Sequence, residues 1–310
     1  MQQIVLSASR RTDIPAFYMD WFMAGIERGV FTVPHPFTGQ RREVAAGPDR
    51  VHTIVFWSKN FAPFLNMDCG EKLIDRGYHL FFNFTVNSAD RRLEPRLPSL
   101  AERLDQLGEL PARFGPERVQ WRFDPICFYT TGDGRGHDNL GDFATIAAAA
   151  ARAGVSTCVT SFVDLYRKVI RRTESIPGFS FTVPDPARQT AVITAMEKHL
   201  ASLGMYLVTC CEKEVLANLP PDTTVRAGAC IPGQEFVRRD GGSISRRQDS
   251  GQRAAAGCGC TISSDIGSYR DQPCFHNCLF CYANPTADLP DSPAGRHRRR
   301  TGSGGVHEYR

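Results

Sequence analysis

Short apolar runs rich in β-branched and aromatic residues alternate along the chain with longer segments whose apolar residues recur three and four positions apart. The first pattern predicts strands and the second predicts amphipathic helices. Six strands are predicted, at residues 3–7, 52–57, 79–85, 119–123, 156–161 and 205–209. Helices are predicted at residues 16–28, 60–76, 99–114, 139–153 and 186–203, with a shorter one starting at Glu212. Repeated βα units of this kind predict a parallel sheet.

Six successive units favour an α/β fold with a partial (β/α)6 TIM-type barrel over residues 1–221, and a doubly wound sheet is the alternative. From residue 222 the chain changes to short segments rich in glycine, arginine and cysteine. We expect residues 222–284 to form a cysteine-rich, cluster-binding segment packed on the barrel rim. Residues 285–310 have the composition of a disordered basic tail, and their run of arginines is more typical of a solvated tail than of a nucleic-acid site.

The overall composition, 42% hydrophobic and 23% charged, is that of a protein able to bury a core. A net charge of +4 is too small to indicate a partner. The amino terminus lacks the cationic region and apolar run of a signal peptide, so we expect a cytoplasmic protein without a membrane partner.

Polar side chains follow the predicted strands at the points where catalytic loops begin in either architecture. Arg10, Arg11 and Asp13 follow the first strand, Lys59 the second and Asp124 the fourth. Arginine and lysine suit an anionic partner, and a carboxylate can bind a ribose hydroxyl or accept a proton. The alternative is that these residues form ion pairs that fix the rim loops.

Eight of the eleven cysteines lie in the last third of the chain, where clustered thiols indicate metal or redox chemistry. Cys274, Cys278 and Cys281 have C-x3-C-x2-C spacing. Three thiolates can hold a [4Fe–4S] cluster and leave one iron without a protein ligand. A structural zinc site, which needs four ligands and commonly uses two C-x2-C pairs, is the alternative.

A second set of thiols consists of Cys230, Cys258 and Cys260 with either Cys210 or Cys211, for which we favour Cys211. Four thiolates could close around an auxiliary [4Fe–4S] cluster. They could equally bind zinc or include spare cysteines.

The triplet, with Phe280 before its last cysteine, resembles the signature of the radical S-adenosylmethionine superfamily. The resemblance implies that the open iron chelates S-adenosylmethionine, and that an electron then splits a carbon–sulfur bond, usually to a 5′-deoxyadenosyl radical that acts on the substrate. It also implies an external donor such as flavodoxin or ferredoxin. The superfamily places this loop after its first strand, whereas here it follows the last. The candidate residues are Arg10, Lys59 and Asp124 for catalysis, with Phe280, Arg11 and Asp13 for cofactor binding.

More narrowly, residues 7–15, 56–60, 122–125, 210–212 and 258–284 resemble an uncharacterised bacterial family of unknown function that carries this motif near its carboxyl terminus. The sequence leaves the substrate unidentified, and the arginines favour an anion. One alternative is a zinc-stabilised barrel protein that binds nucleic acid or acts as a hydrolase. Another is an iron–sulfur enzyme that acts on damaged bases, with the paired arginines on phosphates.

Overall fold

The computed structural model describes residues 2–35 and 38–284, and the predicted tail at residues 285–310 lies outside them. The strands are β1 (Ile4–Ala8), β2 (Val30–Pro34), β3 (Arg41–Ala45), β4 (Val51–Ser58), β5 (His79–Thr85), β6 (Val119–Ile126), β7 (Phe128–Thr130), β8 (Gly136–Asp138), β9 (Thr157–Phe162), β10 (Ser180–Thr182), β11 (Tyr206–Thr209), β12 (Arg226–Ala227) and β13 (Ser264–Asp265). The helices are α1 (Ile14–Phe17), α2 (Met19–Arg28), α3 (Ala62–Asn66), α4 (Cys69–Asp75), α5 (Leu100–Phe114), α6 (Phe143–Arg152), α7 (Arg167–Glu174), α8 (Pro186–Ser202), α9 (Lys213–Ala217) and α10 (Gly233–Asp240).

The main sheet has eight strands in the order β12-β11-β9-β6-β5-β4-β1-β13. Every pairing in it is parallel, and the fold is mixed α/β. Its six central strands are the six predicted from the sequence. The two edge strands, β12 and β13, both come from the segment after residue 222. Within residues 2–35 and 38–284 no pairing joins these two edges, so the sheet is not a closed barrel.

Both faces of the sheet are covered, as is usual for parallel strands. On one face Leu80, Phe82 and Phe84 of β5 belong to a large apolar core shared with the helices. On the other, Phe81 of the same strand packs in a smaller cluster with Phe236 of α10. Successive residues of a strand point to opposite faces, which explains this division. The segment after residue 222 therefore covers the face that the helices leave open.

The predicted helices are present, and two of them are interrupted. The helix predicted at 16–28 is α1 followed by α2, because Tyr18 between them has a non-helical φ of −136°. The helix predicted at 60–76 is α3 followed by α4, because Asp68 adopts a left-handed conformation with φ 51°. By contrast α5 starts where predicted, since Ser99 and Glu102 form a capping box at its amino terminus.

Several short elements have no counterpart in the prediction. They are the β2–β3 hairpin, the antiparallel β10-β7-β8 sheet, the helices α7 and α10, and the edge strands of two residues each. Elements this short carry too few residues to show a period. None of the helices described is long and apolar enough to cross a membrane.

Candidate functional site

The eight carboxy-terminal cysteines form two groups. The triplet, Cys274, Cys278 and Cys281, lies in a loop at residues 272–284 that we call the return loop. The quintet consists of Cys210, Cys211, Cys230, Cys258 and Cys260. The other three cysteines, Cys69, Cys127 and Cys158, are buried. Cys127 shares an apolar cluster with Cys278 and Phe280, a proximity that its sequence position did not indicate.

The return loop folds back across the amino-terminal part of the chain. Its backbone N–H at Leu279 donates to the Leu93 carbonyl at 2.9 Å. Tyr282 Oη donates to the Arg10 carbonyl at 2.8 Å, and Tyr18 Oη donates to the Pro273 carbonyl at 2.7 Å. These contacts place the three thiols of the triplet over the loops that follow β1 and β5.

Arg172 of α7 also fixes the return loop. Its Nη1 donates to the carbonyls of Leu279 and Cys281 at 2.6 and 3.2 Å, and its Nη2 donates to the carbonyl of Asn284 at 3.0 Å. Burial lowers the pKa of Arg172. The three carbonyls supply the hydrogen bonds that a partly buried guanidinium requires.

Burial is the largest influence on the pKa values of the three thiols in the triplet. It raises the pKa of Cys274, Cys278 and Cys281, and the nearby ammonium of Lys59 acts in the opposite direction on all three. Backbone N–H groups also act against burial, that of His276 on the pKa of Cys274 and those of Ala283 and Asn284 on the pKa of Cys281. The loop backbone therefore favours the thiolate form of two of the three cysteines.

Lys59 lies beside the triplet as the sequence placed it, on the loop after β4. Its Nζ is 2.6 Å from Glu94 Oε1 and 5.2 Å from the centroid of the Phe280 ring. The Cys278 thiol is 3.9 Å from the same Glu94 oxygen. Burial favours the neutral amine, but the charges of Glu94 and Cys278 outweigh it and raise the pKa of Lys59. Glu94 was not among the predicted residues, since it lies in a loop without a recognisable pattern.

Both carboxylate oxygens of Asp13 accept hydrogen bonds from other residues of the protein. Its Oδ1 accepts from Ala16 N at 3.0 Å and from Ser58 Oγ at 2.7 Å. Its Oδ2 accepts from Lys59 N at 2.9 Å and from His276 Nε2 at 2.8 Å, a pairing that assigns the proton to Nε2. Asp13 was predicted to bind the cofactor, and in the structure both of its carboxylate oxygens join α1, β4 and the return loop.

The side chains of the neighbouring residues Arg10 and Arg11 contact different parts of the protein. The Arg10 side chain turns to the quintet, where it is close to Cys260 and Cys230, and it lies 5.1 Å from the ring centroid of Trp57. Arg11 Nη1 instead donates to the Gly267 carbonyl at 3.1 Å, and its Nε is 4.0 Å from Asp265. Two adjacent arginines therefore serve different parts of the rim.

Asp124 lies beside the quintet and is held by Arg122, which sequence reasoning missed. Arg122 Nη2 is 2.5 Å from Asp124 Oδ2, and its Nη1 donates to Cys230 Sγ at 3.0 Å. Ser161 Oγ donates to Asp124 Oδ1 at 2.5 Å. The available signal was the i, i+2 spacing of Arg122 and Asp124 on one strand, which puts both on the same face.

The quintet brings together three distant parts of the chain. Cys210 Sγ is 3.8 Å from Cys211 Sγ and 3.9 Å from Cys230 Sγ. Cys258 interacts with Cys211 on one side and with Cys260 on the other. The sequence left Cys210 and Cys211 as alternatives, and the structure brings both into the group. No set of three or more His, Cys, Asp or Glu side chains in the described chain has a spacing suited to one metal ion as it stands.

A cavity of about 540 Å³ opens beside Arg11. Arg41, Tyr269 and Arg270 also line it, so its wall is rich in cationic and hydrogen-bonding groups. Tyr269 connects this cavity to the return loop, because its ring centroid is 6.3 Å from that of Tyr282.

A comparison with the curated proteins found no match. One family model matches residues 5–283, a range that includes the main sheet, the quintet and the triplet. The chain therefore belongs to the family described as Domain of unknown function (DUF1848).

Proposed function

We propose that this protein is a radical S-adenosylmethionine enzyme in which Cys274, Cys278 and Cys281 hold a [4Fe–4S] cluster. The observation that carries the proposal is the gathering of three thiols, one buried and two partly buried, in one loop beside Lys59. The proposal includes a fold that is a partial (β/α)6 TIM-type barrel with the cluster loop supplied from the carboxyl end. The eight-stranded parallel sheet with two free edges supports it.

The donor set fits such a cluster. Three thiolates bind three of its irons, and the fourth iron keeps its open position. A structural zinc ion at the triplet would need a fourth protein ligand. Glu94 is engaged with Lys59 at 2.6 Å. His276 donates its Nε2–H to Asp13 at 2.8 Å and keeps a buried Nδ1 with no hydrogen-bond partner among the described residues, so a zinc site of three cysteines and His276 is the alternative that metal analysis must separate.

When bound, the cluster and S-adenosylmethionine supply the reductive cleavage of a carbon–sulfur bond to a radical that abstracts hydrogen from the substrate. The chain's own residues prepare the place for this chemistry. Phe275, Cys278 and Phe280 are at most 7% exposed, so water is kept from these three side chains. The Lys59 ammonium stabilises negative charge on the thiolates, and Arg172 and Asp13 hold the loop in position.

The substrate in this proposal is anionic and binds in the cavity beside Arg11. Arg41 and Arg270 would bind a carboxylate or phosphate through paired N–H groups. Asp124, which Arg122 and Ser161 fix beside the quintet, does not line this cavity and is proposed to hold a hydroxyl or to accept a proton from a part of the substrate that extends beyond it. A one-electron donor of the flavodoxin or ferredoxin type completes the proposed system.

The test is anaerobic reconstitution with iron and sulfide, followed by iron analysis and visible absorbance. We expect about four irons from the triplet. After addition of dithionite and S-adenosylmethionine, 5′-deoxyadenosine should form, and methylthioadenosine should be measured as well because it reports cleavage of a different carbon–sulfur bond. Cys278→Ala should abolish both the iron of this site and the product.

Cys69→Ala is the matched control, because Cys69 is equally buried but lies in the core on the helix-covered face of the sheet. It should retain iron and product formation. A colourless protein that takes up zinc in place of iron would refute the proposal and favour a zinc-stabilised binding or hydrolytic protein. Iron loading without either nucleoside product would refute the radical reaction alone.

A further inference from the structure

The quintet lies on the face of the sheet opposite the helices. Cys210 and Cys211 directly follow β11, Cys230 follows β12, and Cys258 and Cys260 precede β13. All five pack in one apolar cluster with side chains of the central strands, including Val5, Val55 and Phe81. Convergence of five thiols from three chain segments inside a core is not a requirement of packing, because any small apolar residue would fill the same space.

Within the quintet Cys210 Sγ lies 3.8 Å from Cys211 Sγ and 3.9 Å from Cys230 Sγ, and Cys258 is close to both Cys211 and Cys260. Four thiolates can close around a [4Fe–4S] cluster or around one zinc ion, so the metal analysis below distinguishes the two.

Two arginines face the quintet. Arg122 Nη1 donates to Cys230 Sγ at 3.0 Å, and the guanidinium of Arg10 is close to Cys260. Arg10 Nη2 is buried and has no hydrogen-bond partner among residues 2–35 and 38–284. A buried donor of this kind is costly unless an acceptor faces it, and sulfur that carries negative charge is such an acceptor.

We infer that Cys211, Cys230, Cys258 and Cys260 hold a second, four-thiolate iron–sulfur cluster, with Arg10 and Arg122 as hydrogen-bond donors to its sulfurs. Cys211 is assigned as the ligand of the adjacent pair because it lies close to Cys258, a second proposed ligand. Its φ of 62° is a left-handed conformation that residues other than glycine rarely adopt, and such conformations concentrate at functional sites. Cys210 is not a ligand in this assignment.

The second cluster is connected to the triplet through polar groups. Arg122 links Cys230 to Asp124, the Asp124 N–H donates to Asn87 Oδ1 at 2.8 Å, and Asn87 Nδ2 is 3.4 Å from Glu94 Oε1. Glu94 in turn contacts Cys278 at 3.9 Å. The two cysteine groups therefore belong to one hydrogen-bonded network.

The experiment isolates the second site by removing the first. The full chain carrying Cys274→Ala, Cys278→Ala and Cys281→Ala is reconstituted anaerobically, and iron, sulfide and zinc are counted. We expect about four irons and four sulfides per chain and an electron paramagnetic resonance signal after reduction with dithionite. This result does not depend on the triplet, so a failed radical assay and a missing second cluster are distinguishable.

In the same background Cys258→Ser and Cys211→Ser should lose most of the iron, while Cys210→Ser should retain it. Far-UV circular dichroism of each variant checks that loss of iron is not loss of the fold. Zinc in place of iron, or no metal in a folded triple variant, would overturn the inference. Retention of iron in Cys211→Ser with loss in Cys210→Ser would overturn the ligand assignment.

Discussion

Lys59 Nζ lies 2.6 Å from Glu94 Oε1 in an ion pair whose side chains are 15% and 4% exposed. Removing one partner leaves the other charge buried and unpaired, at a cost of about 3–5 kcal/mol. We expect Glu94→Leu to lower the free energy of unfolding by about 3 kcal/mol, and Lys59→Met/Glu94→Leu together to lose less than the sum of the single losses. Urea unfolding of all three variants measures this. Strictly additive losses would contradict a direct pairing of these two charges.

The pH dependence of this pair has a definite sign. Because the pKa of Lys59 is raised in the folded chain, the pair stabilises fully below the unfolded value near 10.5 and loses its contribution as the pH rises above it. The stability difference between the native chain and Lys59→Met should therefore be constant from pH 7 to 9 and should shrink at higher pH.

Arg172 should control how firmly the triplet loop is held. Arg172→Ala removes three hydrogen bonds to loop carbonyls, and we expect iron to leave the triplet ~10-fold faster or more in the presence of a chelator. Arg171→Ala is the matched control, because Arg171 is the neighbouring, exposed residue of α7. The decay of visible absorbance after chelator addition gives both rates. Equal rates in the two variants would show that Arg172 does not restrain the loop.

The raised pKa of Glu212 leads us to expect a change of stability near neutral pH. Burial raises this pKa to about 7. The hydrogen bond that the Glu212 carboxylate accepts from the Phe162 N–H at 2.8 Å acts in the opposite direction. Between about pH 4.5 and 7 the folded chain therefore holds a proton that the unfolded chain has released, so this residue makes stability fall as the pH rises. Glu212→Gln keeps an acceptor for the Phe162 N–H and removes the titrating carboxyl group. Its stability relative to the native chain should increase from pH 5 to pH 8, and a pH-independent difference in thermal unfolding would contradict this.

The capping box of α5 depends only on residues that are close together in the sequence. Ser99 Oγ accepts from Glu102 N, and Glu102 Oε2 accepts from Ser99 N at 2.8 Å. Ser99→Ala should reduce the free energy of unfolding by about 1 kcal/mol, since it leaves an amide at the helix amino terminus without a partner. Ser99→Thr should recover most of this loss. Urea denaturation compares the two.

The central strands and main helices followed from the sequence because each pattern repeats over many residues within one element. The prediction weakened where a single residue breaks a helix, as Asp68 does with its left-handed backbone. It missed short elements of two to eight residues, among them β12 and β13, which are strands only because the edge of the sheet is beside them. The pattern put the predicted rim residues at the ends of strands, but it did not give their pairings.

The alternation of strands and helices and the spacing of Cys274, Cys278 and Cys281 follow from the amino-acid order, because both depend on neighbours along the chain. Contacts between residues more than a hundred positions apart arise only when the chain has folded. Arg122 reaches Cys230 across 108 positions, and Tyr282 reaches Arg10 across 272. Such contacts depend on which faces of the sheet remain uncovered when its strands pair, and that is a property of the folded sheet as a whole. The convergence of the five thiols on the face covered by the segment after residue 222 is a consequence of this kind.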